Sequence, residues 1–283
     1  MAITAIIILV MLNVFRHLFV QEKRKTIGLA LGSGGAKGLA HIGVIKVLER
    51  NSIPIDFIAG ASVGAMIGGA YAQDLDIVKI ENIIRKQTFK EFLKNFLDPS
   101  LRSGLVKGNA ISEYLEAQIG RVNIEKGMIP FKAVATNIET GNEVIIDHGD
   151  LIEAIRASIS VPVIFKPVIS DWGTLVDGGV SNPVPVTVVR EMGADIVIAV
   201  NLNNESFITT QNRSLGSFSM ASSLIELLSY NLAKEKVKGA DIVINPDIPK
   251  ANWTKFSGGV DLIHKGEEAT LSMLPEIKRL LAE

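Results

Sequence analysis

The sequence predicts an α/β fold, a three-layer sandwich in which helices cover both faces of a mostly parallel central sheet. Three observations carry that expectation. Short apolar runs alternate with longer amphipathic stretches, the pattern of repeated strand–helix units. Two glycine-rich turns each follow an apolar run and lead into a helix, as turns at the strand ends of open α/β sheets do. The chain has 283 residues, 47% of them hydrophobic, enough for one large core.

Taken in order, residues 1–22 stand apart. Ala2 to Leu12 carry no charge, and the apolar run continues past Asn13 and Arg16 to Val20. As a helix, Ile3 to Val20 would span roughly 27 Å, against about 30 Å for a bilayer core. A cleaved signal peptide does not fit, because there is neither a basic leader nor a small-residue cleavage site. Arg16, Lys23, Arg24 and Lys25 lie on the C-terminal side. The positive-inside rule then assigns the following domain to the cytoplasmic face. Residues 1–22 are expected to be a hydrophobic membrane anchor and residues 25–283 the folded domain. A helix packed on the domain or in a dimer is the alternative.

Thr26 to Leu31 reads as a buried strand, and Leu39, Ile42, Val44, Ile45, Val47 and Leu48 mark a largely buried helix over 38–50. A second strand is expected at 55–59, interrupted only by Asp56, followed by a small-residue helix at 63–73. Residues 76–95 alternate apolar groups such as Ile77, Ile80 and Phe92 with Lys79, Arg85, Lys90 and Lys94. This is an amphipathic basic helix, either a surface helix on the core or a membrane-facing lid. The segment 99–108 is a loop. Further helices are expected at 109–119, 150–158, 184–192, 217–238 and 264–281. Further strands are expected at 131–137, 143–147, 174–177, 195–200 and 241–245.

Two turns carry chemistry. Gly60-Ala61-Ser62-Val63-Gly64 places a serine between glycines, after a strand and before a helix, the pattern of a nucleophile elbow. A serine that merely caps the helix fits the same letters. Gly32-Ser33-Gly34-Gly35-Ala36-Lys37-Gly38 ends the first strand. Consecutive glycines at a helix start leave backbone N–H groups free to converge on an anion. A dinucleotide would need an acid at the end of the next strand, and Asp56 sits near its start. A nucleotide triphosphate would need Ser or Thr after Lys37, where Gly38 stands. An oxyanion formed when Ser62 attacks an ester needs only the N–H groups.

Such a serine needs a base. Ser62, Asp177 and His264 would satisfy the order of an α/β-hydrolase triad. However, His264 lies at the entry to the last helix, His41 inside the first helix, His148 in a polar turn and His17 in the N-terminal segment. Asp177 ends the run from Trp172 and begins Asp177-Gly178-Gly179. It is either a turn residue or a base at a strand tip facing the crevice of Ser62. Apolar neighbours Val176, Val180 and Trp172 would raise its pKa by burial. The chain has no cysteine and no cluster of metal-ligating residues, so a disulfide scaffold, thiol catalysis and a metal site are not expected. Its net charge of -1 implies no bulk attraction to nucleic acid.

The order of these motifs resembles the patatin-like phospholipase family, in particular its bacterial members and the catalytic domain of neuropathy target esterase. Gly38-Leu39-Ala40-His41-Ile42-Gly43-Val44 continues the first motif as the family does. Arg156-Ala157-Ser158-Ile159-Ser160-Val161-Pro162, followed by Phe165-Lys166-Pro167-Val168, resembles the segment that the family places before its aspartate. The resemblance covers about Lys25 to Asp247. It implies a Ser–Asp dyad without cofactor: Ser62 as nucleophile and Asp177 as base. It also implies an oxyanion hole from the N–H groups of Gly34, Gly35 and Ala36. Lys37 matches the family's basic position, and Gly38, Gly60, Gly64, Gly178 and Gly179 complete the motifs. Ser33 stands where many members carry glycine and still supplies an N–H. The implied substrate is a phospholipid or lysophospholipid ester, with a membrane surface as partner. The other readings are a triad esterase using His264 and a non-catalytic lipid- or nucleotide-binding module.

Overall fold

The computed structural model describes residues 24–73, 76–85, 108–203, 217–248 and 259–283. The anchor expected at 1–22, the loop at 99–107 and the second half of the helix expected at 76–95 lie outside the described residues.

A single eight-stranded mixed sheet forms the middle layer, in the order β5-β6-β3-β2-β1-β7-β8, with β4 on β3. The strands are β1 Ile27–Leu31, β2 Phe57–Ala61, β3 Phe131–Asn137, β4 Glu143–Ile146, β5 Val168–Ser170, β6 Gly173–Asp177, β7 Ile196–Val200 and β8 Ile242–Ile244. β8, β7, β1, β2 and β3 run parallel, whereas β4 and β6 are antiparallel to β3. The α/β sandwich with a mostly parallel sheet is therefore as expected. Two details differ. β2 begins at Phe57 rather than Ile55, because Asp56 is drawn out of the strand; its carboxylate takes Arg24 and the amide of Ile27. β5 was not anticipated; three residues after Pro167 give too short a pattern to read.

The helices are α1 Ala40–Arg50, α2 Val63–Ala72, α3 Ile77–Arg85, α4 Asn109–Ile119, α5 Leu151–Ser158, α6 Val186–Glu191, α7 Ser217–Lys236 and α8 Gly259–Ala282. A 3₁₀ turn, Gly35–Leu39, leads into α1. α8 begins five residues earlier than the sequence pattern suggests, which puts His264 inside the helix. Asp150 caps α5 by accepting from the amides of Ile152 and Glu153, the ordinary role of an N-cap aspartate. Among the described residues no helix is long and apolar enough to cross a membrane.

Alternation along each strand builds two cores. In β1, Ile27, Leu29 and Leu31 join the larger one, beside Ile42, Ile45 and Leu48 of α1. Ala30 faces the smaller one with Val188 and Val189 of α6. Leu31 is wholly buried, so Leu31→Ala removes about 2–5 kcal/mol. α8 crosses α1 at backbone distance. A Cβ on Gly43 would lie 2.0 Å from the Ile263 carbonyl, and one on Gly266 would lie 2.0 Å from the Ala40 carbonyl.

β3 arranges the site. It pairs with β2 through 131–134 and with β6 through 135–137, while β4 spans 133–136 and overlaps both. A strand has two edges, so β4 takes one and β2 and β6 share the other. They run in opposite directions and meet end to end. Ala61 pairs with Val134 and Asp177 with Ala135, adjacent positions on β3. Ser62 and Asp177, 115 residues apart in sequence, are thereby neighbours.

Candidate active site

Ser62 sits at the turn from β2 into α2 with φ 55° and ψ −124°. That left-handed conformation costs a non-glycine residue about 1–3 kcal/mol. The flanking glycines make the turn possible. A Cβ on Gly60 would lie 2.4 Å from the backbone of Gly64, and one on Gly64 would lie 2.1 Å from the Leu31 carbonyl. The Ser62 side chain makes no capping bond to α2. Its hydroxyl instead donates to Asp177 Oδ2 at 2.5 Å, and both residues are buried. The capping role that the letters also allowed is thus absent.

Asp177 is the last residue of β6. Its Oδ1 accepts the Gly179 N–H at 2.7 Å, its amide donates to the Ser160 carbonyl at 3.0 Å, and its carbonyl accepts Thr136 Oγ1 at 2.8 Å. Burial pushes the carboxyl up to about 6, against the opposing hydrogen bonds from Ser62 and Gly179. Val180 lines the cleft with Asp177, whereas Val176, the neighbour of Asp177 on β6, does not. Trp172 does not contribute as expected. It precedes the opposite end of β6 and packs edge-on against His148 at 5.4 Å.

The glycine loop lies across from this pair. The amide of Gly32 donates to Val200, that of Ser33 to Pro183 and that of Lys37 to Gly34. Ser33 therefore has no N–H to offer a ligand, contrary to the expectation from sequence. Among the described residues no acceptor takes the amides of Gly34, Gly35 or Ala36. The Lys37 ammonium is turned inward and donates to the Leu202 carbonyl at 2.6 Å; burial lowers it to about 8, countered in part by Glu226. Gly38 lies against Val63, which locks the loop to the elbow, and Gly178 follows Asp177 over the Val134 carbonyl.

A cleft opens over Ser62 and Asp177. Val161, Ile164, Val180 and Ile225 give it an apolar wall, while Lys37, Asn203, Glu226 and Ser229 supply polar groups. Among the described residues no histidine lines it. His264 is exposed on α8 and pairs with Glu267 at 3.2 Å. His41 is fully buried, 2.8 Å from the Gly32 carbonyl, and burial lowers it to about 4. His148 pairs with Asp147 in its turn. Among the described residues no group of three or more His, Asp or Glu side chains is arranged to hold a metal ion.

Such a site can move a proton from a hydroxyl to a buried carboxylate beside unclaimed amides, which is what acyl transfer needs. Residues 29–190 match the model of the Patatin-like phospholipase family. The chain belongs to the patatin-like phospholipase family. The match spans both glycine turns and Asp177-Gly178-Gly179. An uncharacterized NTE family protein of Mycobacterium tuberculosis is 40% identical over 179 residues, 62% of this chain and 49% of that protein. The chain thus spans about half the length of such relatives. Lysophospholipase NTE1 of Pyricularia oryzae is 31% identical over 185 residues, 64% of this chain and 12% of that protein. Among solved structures, VipD from Legionella pneumophila shares the patatin-like fold with a TM-score of 0.63 at 15% identity, over 89% of this chain and 67% of that one.

Sequence reasoning missed the supports of the pair. Ser158 Oγ accepts the Ser62 amide at 2.9 Å, and Asn203 Nδ2 donates to Ser33 Oγ at 3.2 Å. The only signal for Ser158 was its place in the segment before the aspartate.

Proposed function

We propose that this chain is a serine lipid acyl hydrolase that cleaves the carboxylic ester of a phospholipid or lysophospholipid with a Ser62–Asp177 dyad. One observation carries the reading: the Ser62 hydroxyl donates to a buried carboxylate at 2.5 Å. That carboxylate has its pKa raised to about 6. A carboxylate so tuned is ionised near neutral pH yet basic enough to accept a proton. The family and the lysophospholipase relatives support a lipid ester as substrate.

Ser62 Oγ attacks the ester carbon while its proton passes to Asp177 Oδ2. The carbonyl oxygen gains negative charge and receives the N–H groups of Gly34, Gly35 and Ala36, each worth roughly 3–4 kcal/mol. Collapse breaks the ester C–O bond, and Asp177 returns the proton to the leaving alcohol. Water then gives a proton to Asp177 as its oxygen attacks the acyl-serine. The fatty acid leaves, and Ser62 regains its proton. We assign the hydrolase to residues 25–283 and the hydrophobic residues 1–22 to a tether on a membrane whose cytoplasmic side carries the enzyme.

A fluorophosphonate probe is expected to label the wild-type chain and not Ser62→Ala. Equal labelling of both would remove Ser62 from the mechanism. Mass spectrometry of a membrane lipid extract, treated with each protein, identifies the ester consumed. For the tether, loss of residues 1–22 is expected to move the protein from the membrane fraction to the supernatant.

A further inference from the structure

We propose that Ser158 is a positioning residue that sets the reach between Ser62 and Asp177, as part of a bracket formed by the three residues Ser158-Ile159-Ser160 at the end of α5. The proposal rests on the dyad reading above and adds how the dyad is held.

The need for a bracket follows from the sheet. β2 and β6 meet end to end on one edge of β3, and no ladder joins them. Pairing to adjacent residues of β3 brings the two tips together, but Ser62 itself lies one residue beyond the β2 ladder. Moreover, the Ser62 amide points away from any regular partner, because the left-handed turn takes it out of β2 before α2 begins. Something outside both strands must hold the two ends.

The end of α5 touches both. Ser158 is wholly buried; its Oγ accepts the Ser62 amide at 2.9 Å and donates to the Val134 carbonyl at 2.6 Å. Val134 is the β3 residue that pairs with Ala61, so Ser158 ties the elbow back to the strand beneath it. Two residues on, the Ser160 carbonyl accepts the Asp177 amide at 3.0 Å. The Ser160 side chain is itself wholly buried and braced, accepting Arg156 Nη1 at 2.5 Å and donating to the Arg156 carbonyl at 2.7 Å. Arg156 is fixed in turn by the Lys166 carbonyl and the ring of Phe165. One short segment thus holds the amide of the nucleophile and the amide of the base. A change in it alters the gap across which the proton moves.

The test is Ser158→Ala in the full chain, assayed on a soluble short-chain ester over a range of pH. Loss of the acceptor lets Ser62 withdraw from Asp177. We expect kcat to fall at least about tenfold with KM little changed, within the range of an impaired general base. The Ser62 hydroxyl lowers the pKa of Asp177, so the acid limb of the kcat profile should also move to higher pH. A merely structural role would lower the amount of folded enzyme and leave that limb in place. Ser158→Thr retains a hydroxyl and should restore the profile. If Ser158→Ala does not fold, Ser158→Cys, near in size with a weaker acceptor, carries the same two readouts. Wild-type kcat and profile in the variant, or a lower kcat with the limb unmoved, would overturn the proposal. An inert wild-type enzyme would overturn the hydrolase reading beneath it.

Discussion

Glu267 and Asp177 are both withdrawn from water, their exposure being 15% and 5%, yet their surroundings drive them in opposite directions. Glu267 of α8 lies 2.9 Å from Lys46 Nζ of α1, and Lys46 also meets Glu81 of α3 at 2.6 Å. Burial alone would raise the Glu267 carboxyl, but Lys46, with help from His264 and Arg50, brings it below its ordinary value. Burial likewise opposes the Lys46 charge, and its two carboxylates outweigh that. Among the described residues Asp177 is offered no cation, only the Ser62 hydroxyl and the Gly179 amide. A full opposite charge fixes a carboxylate as an anion and makes it a fastener between helices. Neutral donors hold the side chain in place while leaving its charge poorly compensated, so it remains able to take up a proton.

The largest way to test this contrast is Asp177→Asn. We expect kcat to fall about 10²–10⁴-fold, the contribution of a general base, in a steady-state ester assay. Next comes Lys46→Met, which removes the cation that Glu81 and Glu267 share between α1, α3 and α8. Thermal or urea unfolding should show a loss of about 3–5 kcal/mol, with kcat of the folded enzyme preserved. An active-site-like loss of kcat there would break the contrast.

Asp177→Asn should also stabilise the protein. The folded pKa lies above the ordinary value of 3.8, so the preference for the neutral form is fully present below about pH 4 and lost as pH rises through about 6. Asparagine is neutral throughout. Unfolding at pH 8 should therefore show a gain of about 3 kcal/mol that shrinks towards pH 4. Equal stability at both pH values would mean that Asp177 is not poorly compensated. In the wild-type enzyme, kcat should rise with pH through about 6, as the carboxylate form appears. The smallest change is expected from His264→Ala, which removes one exposed partner of Glu267. It should cost less than about 1 kcal/mol and leave kcat untouched. A large drop in kcat would revive a triad.

The contrast also marks how far the sequence could be read. Ser62, Asp177 and the glycine loop announce themselves because each needs small neighbours at fixed local spacing. The strand–helix order follows from periodicity in the same way. What stayed hidden is non-local. The amides of Gly32 and Ser33 are spent on Val200 and Pro183, far along the chain, which no local spacing reveals. Ser158 resembles any serine near a helix end until Ser62 is brought against it. Trp172 looked like a wall of the site because it is near Asp177 in sequence, but an extended strand carries it to the opposite end. The last helix was expected from residue 264, yet it already opens at Gly259.

The backbone contact between α1 and α8 has a consequence for synthesis. Gly43 and Gly266 are made at opposite ends of the folded domain, separated on the ribosome by on the order of tens of seconds. Until α8 has emerged and docked, the apolar face of α1 therefore lacks the helix that closes on it. Ser62, Asp177 and their strands all exist before that moment. A ribosome-bound chain stalled before residue 259 should therefore be cleaved by protease within α1 more readily than the released protein.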